Sequence, residues 1–138
     1  MESVKKKLEL VLLAFTDNGK VLLNRRADAD SEMWEFVGGG LENGETPHDA
    51  IKREILEEVG YNLSQEKDDL RFVGDLSFED HRIVAKVHFF TAKFPGIEHF
   101  SDSDETFVAD LKLFSLDEAL KLTLLPITRE IIEKQYIV

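Results

Sequence analysis

Apolar positions run almost unbroken through LELVLLAFT, residues 8 to 16, and predict a buried strand. The tripeptide DNG at 17 to 19 is a tight-turn signal, so KVLLNRR at 20 to 26 reads as the returning strand. Residues 27 to 33, ADADSEM, are polar and loop-like. WEFVGGG follows, read as a short strand and then three glycines. The clearest helix start comes next. Thr46 can cap it, Pro47 suits its first position, and Asp49 stands three residues after the cap. Ile51, Ile55 and Val59 recur every fourth residue, which predicts a helix over 47–59 with one buried stripe, stopped by Gly60. Residues 70–79 and 82–94 read as a hairpin, and 110–116 as another strand. DEALKL and ITREIIEKQY look helical, separated by Pro126. This order of elements favours an α/β or α+β domain, a mixed sheet with helices packed on it. No repeat or Pro/Gly-rich linker interrupts it, so residues 1–138 read as one domain.

Composition narrows the class. Of 138 residues, 43% are hydrophobic and 33% charged, an ordinary globular mix. No apolar run approaches the roughly 20 residues of a membrane span. MESVKKKLEL lacks the apolar core and cleavage site of a signal peptide. Cysteine is absent, which excludes disulfides and thiolate metal sites and fits a cytoplasmic protein. The net charge of −11 argues against sequence-independent binding of nucleic-acid polymers. A small anionic ligand stays compatible if cations bridge it to the protein. His48, His81, His88 and His99 show no metal spacing and read as structural or solvated.

The charge is unevenly spread. Residues 42 to 58 hold six acidic side chains, opposed only by Lys52 and Arg53. On a helix, Glu58 lies about 40° to one side of Glu54 and Glu57 about 60° to the other, so the three carboxylates share a face. Glu54 and Glu58 form a like-charged i, i+4 pair, and Glu57 and Glu58 sit at the negative end of the helix dipole. Each arrangement costs a few tenths of a kcal/mol. A solvated acidic face and a hard-cation site both account for this. The glycines at 38 to 40 favour the second, because a tight glycine loop folded against the helix would bring main-chain oxygens to the carboxylates.

The segment GGLENGETPHDAIKREILEEVGY, residues 39 to 61, resembles the Nudix hydrolase signature in full. Gly39, Glu45, Arg53, Glu54, Ile55, Glu57, Glu58 and Gly60 match its defined positions, and Tyr61 stands where an aliphatic residue is commoner. VLLNRRADADSEMWEFVGG and LFSLDEALKL resemble flanking segments of the MutT-like branch. The resemblance implies an α/β fold: an α/β/α sandwich with a central mixed sheet and a loop-helix-loop catalytic motif. It implies Mg²⁺, with Mn²⁺ as an alternative, held by Glu54, Glu57, Glu58 and the Gly38 carbonyl. Arg53 would orient the glutamates, and Glu45 would hold the motif together. Glu54, Glu57 or a glutamate on a later loop could be the general base. Glu105, in SDSDETF, stands roughly where MutT-like enzymes supply a further acidic metal ligand.

For substrate binding, the candidates are Arg25 and Arg26 at the end of a strand, Phe36 beside Trp34, where an aromatic could stack on a base, and the Gly39 and Gly40 backbone. Arg26 resembles a substrate-contacting arginine of MutT-like enzymes. Two readings compete with these: the arginines can pair with the protein's own carboxylates, and strand aromatics are commonly core. Departures from the MutT-like pattern include Val37 for Pro, Gly40 for Lys, and Thr128 near the usual base-reading Asn. The proline that marks ADP-ribose hydrolases is absent near Leu76. The expectation is a (d)NTP pyrophosphohydrolase acting on a small-molecule nucleotide, without a nucleic-acid polymer or membrane partner. The alternatives are a nucleotide-sugar or ADP-ribose pyrophosphatase, or a non-catalytic nucleotide sensor. Many relatives dimerise, so the resemblance leaves a homodimer possible while the sequence does not give the oligomeric state.

Overall fold

Strand β1 (Lys6–Asp17) is apolar on both sides because it is covered on both sides. Val11, Leu13 and Phe15 point into one core cluster, while Leu12 and Ala14 point into another. The chain is described here from a computed structural model, which covers residues 4–26, 32–101, 108–134 and 136–137. Asn18 and Gly19 take φ of 49° and 80°, the left-handed pair that a two-residue hairpin turn requires, and return the chain as β2 (Lys20–Arg26).

Short strands β3 (Trp34–Glu35) and β4 (Val37–Gly40) follow, then α1 (Pro47–Val59). The hairpin of β5 (Arg71–Glu79) and β6 (Ile83–Lys93), strand β7 (Val108–Ser115), and helices α2 (Leu116–Ala119) and α3 (Pro126–Glu133) complete the order. The sheet runs β3-β2-β1-β6-β5, with β4 also paired to β1 and β7 to β2. β1 and β6 are parallel and the other pairings antiparallel, so the sheet is mixed as expected.

Helix α1 buries Ala50, Ile51, Ile55 and Val59 on one face of the sheet, against Val11, Leu13, Phe15 and Phe90. Helices α2 and α3 bring Ala119, Ile131 and Ile132 to the other face, against Ala14, Phe36 and Phe89. The result is the expected α/β/α layering. Among the described residues, no helix is long and apolar enough to cross a membrane.

Two local expectations change. DEALKL is not a full helix: α2 is a single turn started by a Ser115–Glu118 capping box. The three glycines do not form a loop. They are strand β4, whose partners on β1 run from Leu10↔Gly40 to Leu12↔Gly38. Pairing with β1 makes them strand while the Gly38 N–H and the Gly40 carbonyl turn to side chains of α1, so the loop begins only at Leu41.

Candidate functional site

The acidic face of α1 is organised by one guanidinium. Thr46 starts the helix, its side chain accepting from Asp49 N–H, and Gly60 ends it in the left-handed conformation, as its sequence predicts. Arg53 projects between the carboxylates. Its Nε donates to Glu45 Oε2 at 2.7 Å and its Nη2 to Glu45 Oε1 at 3.0 Å. Its Nη1 donates to Glu54 Oε1 at 3.0 Å and to Glu57 Oε2 at 3.2 Å, and its Nη2 also reaches the Gly40 carbonyl at 2.9 Å. Glu45 in turn accepts from Glu42 N–H at 2.9 Å. The Arg53 hydrogen bonds, backed by that amide, hold the Glu45 carboxyl below its usual range. The same ion pair pushes the Arg53 guanidinium further up, so it stays charged throughout. A planar fork with several donors is what can serve three carboxylates and a carbonyl together.

Strand β4 meets this face directly. A Cβ on Gly39 would lie 2.5 Å from the Glu54 carboxyl, so glycine is what lets that carboxylate rest on the strand. Gly38 N–H donates to Glu58 Oε2 at 3.3 Å. Glu54 is mostly buried, its side chain 13% exposed, whereas Glu57 is 42% exposed. At the far end, Ser101 N–H caps the Val59 carbonyl, and its side chain fills the space a Cβ on Gly60 would need. Among the described residues, no three acidic or histidine side chains converge on one point that could hold a metal ion. Arg53 and Gly38 N–H draw the carboxylates to different partners. The donor set itself, carboxylates beside a glycine backbone, has the hard-oxygen chemistry that Mg²⁺ takes.

On the other side of β4 lies a cleft of about 220 Å³. Leu8, Leu10 and Leu12 of β1 form one wall and Leu125, Ile127 and Thr128 the other, with Phe36 and Glu35 between them. Gly38 and Gly39 close one side, so the same two glycines border the cleft and touch the glutamates. Thr128 is buried and its Oγ1 accepts from Phe36 N–H at 3.4 Å. A larger cleft, about 620 Å³, lies between Thr16, Arg71 and Tyr136 and shares no residue with the glutamate face. Size does not make it the site. Convergent polar groups do, and they are at α1.

A family model described as the NUDIX domain matches residues 6–135. The chain belongs to the NUDIX domain family. Its NUDIX fold is close to that of a MutT NUDIX hydrolase from Burkholderia pseudomallei (TM-score 0.76, 22% identity, covering 94% of this chain and 98% of that one). It is also similar to the E. coli dihydroneopterin triphosphate pyrophosphohydrolase (TM-score 0.70, 26% identity, covering 96% and 97%). Curated relatives include RNA pyrophosphohydrolases from Halorhodospira halophila, 47% identical over 49 residues, and from a Psychrobacter strain, 50% identical over 50. Each of these matches covers 36% of this chain and only 26% or 27% of the relative's length.

The NUDIX structure brings together Gly38, Gly39, Gly40, Glu45, Arg53, Glu54, Glu57 and Glu58. Other expected residues fare differently. Arg25 donates through Nε and Nη2 to Asp110 of β7, at 2.9 and 2.6 Å, so an internal carboxylate takes the place expected for substrate. Phe36 is buried against Phe89, with ring centroids 5.5 Å apart. It is a core residue that floors the cleft, not an exposed stacking platform. Gly40, expected to meet substrate, gives its carbonyl to Arg53. The Arg26 side chain and all of Glu105 lie outside the described residues. The leucines of the cleft were missed, because a uniformly apolar strand carries no periodicity to say which side faces a ligand.

Proposed function

We propose that this chain is a divalent-metal-dependent nucleoside triphosphate pyrophosphohydrolase, releasing a nucleoside monophosphate and pyrophosphate. One observation carries the reading: Gly38 and Gly39 separate an apolar cleft from the glutamates by the width of a single strand. A flat ring held between Leu10 and Ile127 would leave its phosphates at β4, beside α1. A solved relative named for a triphosphate pyrophosphohydrolase supports the same class.

Glu54, Glu57, Glu58 and the Gly38 carbonyl would hold Mg²⁺, or Mn²⁺ in its place, and the ion supplies neutralisation of the polyphosphate charge. Arg53 keeps the carboxylates in register, and Glu45 keeps Arg53 in place. Water attacks the α-phosphorus, the bridging P–O bond breaks, and pyrophosphate leaves. The proton lost by the water passes to a carboxylate. Glu57, half-exposed and reached by Arg53 at one atom, is better placed to accept it than Glu54, which is pressed on Gly39.

A second reading is supported by the relatives named RNA pyrophosphohydrolases: the substrate is the triphosphorylated 5′ end of an RNA. The bond class is the same, but the charge of −11 disfavours a polymer. The test is a panel of nucleoside triphosphates, ADP-ribose, a nucleotide sugar and a 5′-triphosphorylated oligoribonucleotide, compared by kcat/KM. The highest value for a free triphosphate is the expected result. Preference for the oligonucleotide establishes the second reading, and turnover of none of them removes both.

A further inference from the structure

A second cluster of titratable groups lies on the α1 side of the sheet, outside the carboxylate site. His88 of β6 is buried, 5% exposed. Its Nδ1 is 2.5 Å from Asp75 Oδ1 of β5, and its Nε2 is 2.7 Å from Glu9 Oε2 of β1. Asp75, His88, Val11 and Gly39 are successive partners across β5, β6, β1 and β4, so the cluster occupies the same cross-strand row as the glycine that supports Glu54. Other charged groups around it are few. Lys86 Nζ is 3.8 Å from Asp75 Oδ2. From α1, His48 packs edge-on against Phe90, two residues along β6. β4 contributes valine and glycines only, and Glu42 and Glu45 of the following loop face Arg53.

Hydrogen bonds joined by short stretches of backbone lead from this cluster to the glutamates. The Glu9 carbonyl accepts from Leu41 N–H at 3.0 Å, where β4 gives way to the loop that carries Glu45. The neighbouring Gly40 carbonyl accepts from Arg53, and Arg53 holds Glu54 and Glu57. Each link is a contact between groups with defined partners, the kind of path along which a change at one end displaces the other.

We propose that His88 is a positioning residue: clamped between Glu9 and Asp75, it fixes the segment of β1 from which the glutamate loop hangs, and the clamp depends on the protons it holds. The proton dependence follows from counting. Two contacts from one ring to two carboxyl groups are both hydrogen bonds only if the cluster holds two protons, both on the ring or one on a carboxyl. When one proton leaves as pH rises, one nitrogen faces an ionised carboxylate without a donor. That contact becomes repulsive, and where the bare nitrogen is Nε2, the tie to Glu9 is lost. The inference rests on the reading of α1 as the reaction centre.

Glu9→Gln tests it with little change of shape, because a carboxamide can donate to a bare ring nitrogen and keep the tie without the second proton. In the full chain, the Leu41 amide resonance is expected to move with pH together with the His88 ring signals, and to lose that movement in Glu9→Gln and in His88→Gln. In kinetics, wild-type kcat is expected to fall by on the order of tenfold once the cluster has lost a proton, with KM little changed. That fall is expected to shrink in Glu9→Gln. A Leu41 amide indifferent to pH in the wild type, or a Glu9→Gln profile superimposed on the wild-type one, overturns the proposal. If His88→Gln does not fold, the wild type and Glu9→Gln still decide it. If no diphosphate compound is hydrolysed, the functional reading fails, while the amide titration still judges the clamp.

Discussion

Helices α1 and α3 cover opposite faces of one sheet and are built on different principles. α1 has thirteen residues, a side-chain N-cap, a left-handed glycine at its end and four buried residues. Together with Glu45 just ahead of its cap, it carries the charged groups of the candidate centre among the described residues in one continuous segment, 45 to 58. α3 has eight residues and no side-chain cap, and its start supplies Ile127 and Thr128 as one wall of a cleft. The rest of that cleft comes from β1, β3 and β4 and the residues between them. Chemistry is therefore local in the chain, and recognition is spread over it.

Four substitutions separate the two regions. The largest effect is expected at Glu57→Gln on the α1 side: kcat falls by at least ~100-fold while the melting temperature holds, because a half-exposed carboxylate contributes to charge stabilisation far more than to folding. Full activity in that variant would mean the acidic face is not the centre. Gly39→Ala comes next, with kcat reduced on the order of tenfold, since the atoms nearest the new methyl are the carboxyl end of Glu54, which it displaces. A circular-dichroism melt alongside the kinetics checks that the fold is kept. On the α3 side, Ile127→Ala is expected to raise KM about tenfold with kcat nearly constant, the pattern of lost binding that is equal in ground and transition states. A fall in kcat there would mean the cleft positions the reacting atoms as well as the ring. The smallest effect is stability alone: Thr46→Ala removes the α1 cap and costs about 1 kcal/mol, readable as a melting-temperature drop of about 4 °C.

The same division explains what could be read before the structure. Thr46, Pro47, Gly60 and the Ile51/Ile55/Val59 stripe identify α1, because helix signals act over three or four residues. The spacing from Gly39 to Tyr61 identifies the family for the same reason. The glycines at 38–40 misled, since glycine suits both a turn and a strand that must let a carboxylate approach, and only the pairing with β1 decides between them. Arg25 looked available for substrate until the β2–β7 register placed Asp110 opposite it. The Glu9–His88–Asp75 contact joins residues as many as 79 positions apart, and no local pattern encodes it. The single turn of α2 was more legible than DEALKL suggests, because Ser115 and Glu118 already have capping-box spacing.

Tyr61 shows a substitution inside the signature absorbed by its surroundings. Its ring joins the core cluster, and its hydroxyl donates to the buried Asp68 at 2.5 Å. Burial and that carboxylate push the phenol up to about 12, so it keeps its proton and its bond at neutral pH.

The central claim is that the face of α1 and the cleft behind β4 form one centre for metal-dependent cleavage of a nucleoside triphosphate. The most direct measurement is ³¹P NMR of the products formed from such a substrate with Mg²⁺, before and after chelation. Nucleoside monophosphate and pyrophosphate are expected in equal amounts, with product formation stopped by the chelator. Release of orthophosphate from the terminal position, or turnover indifferent to chelation, would contradict it.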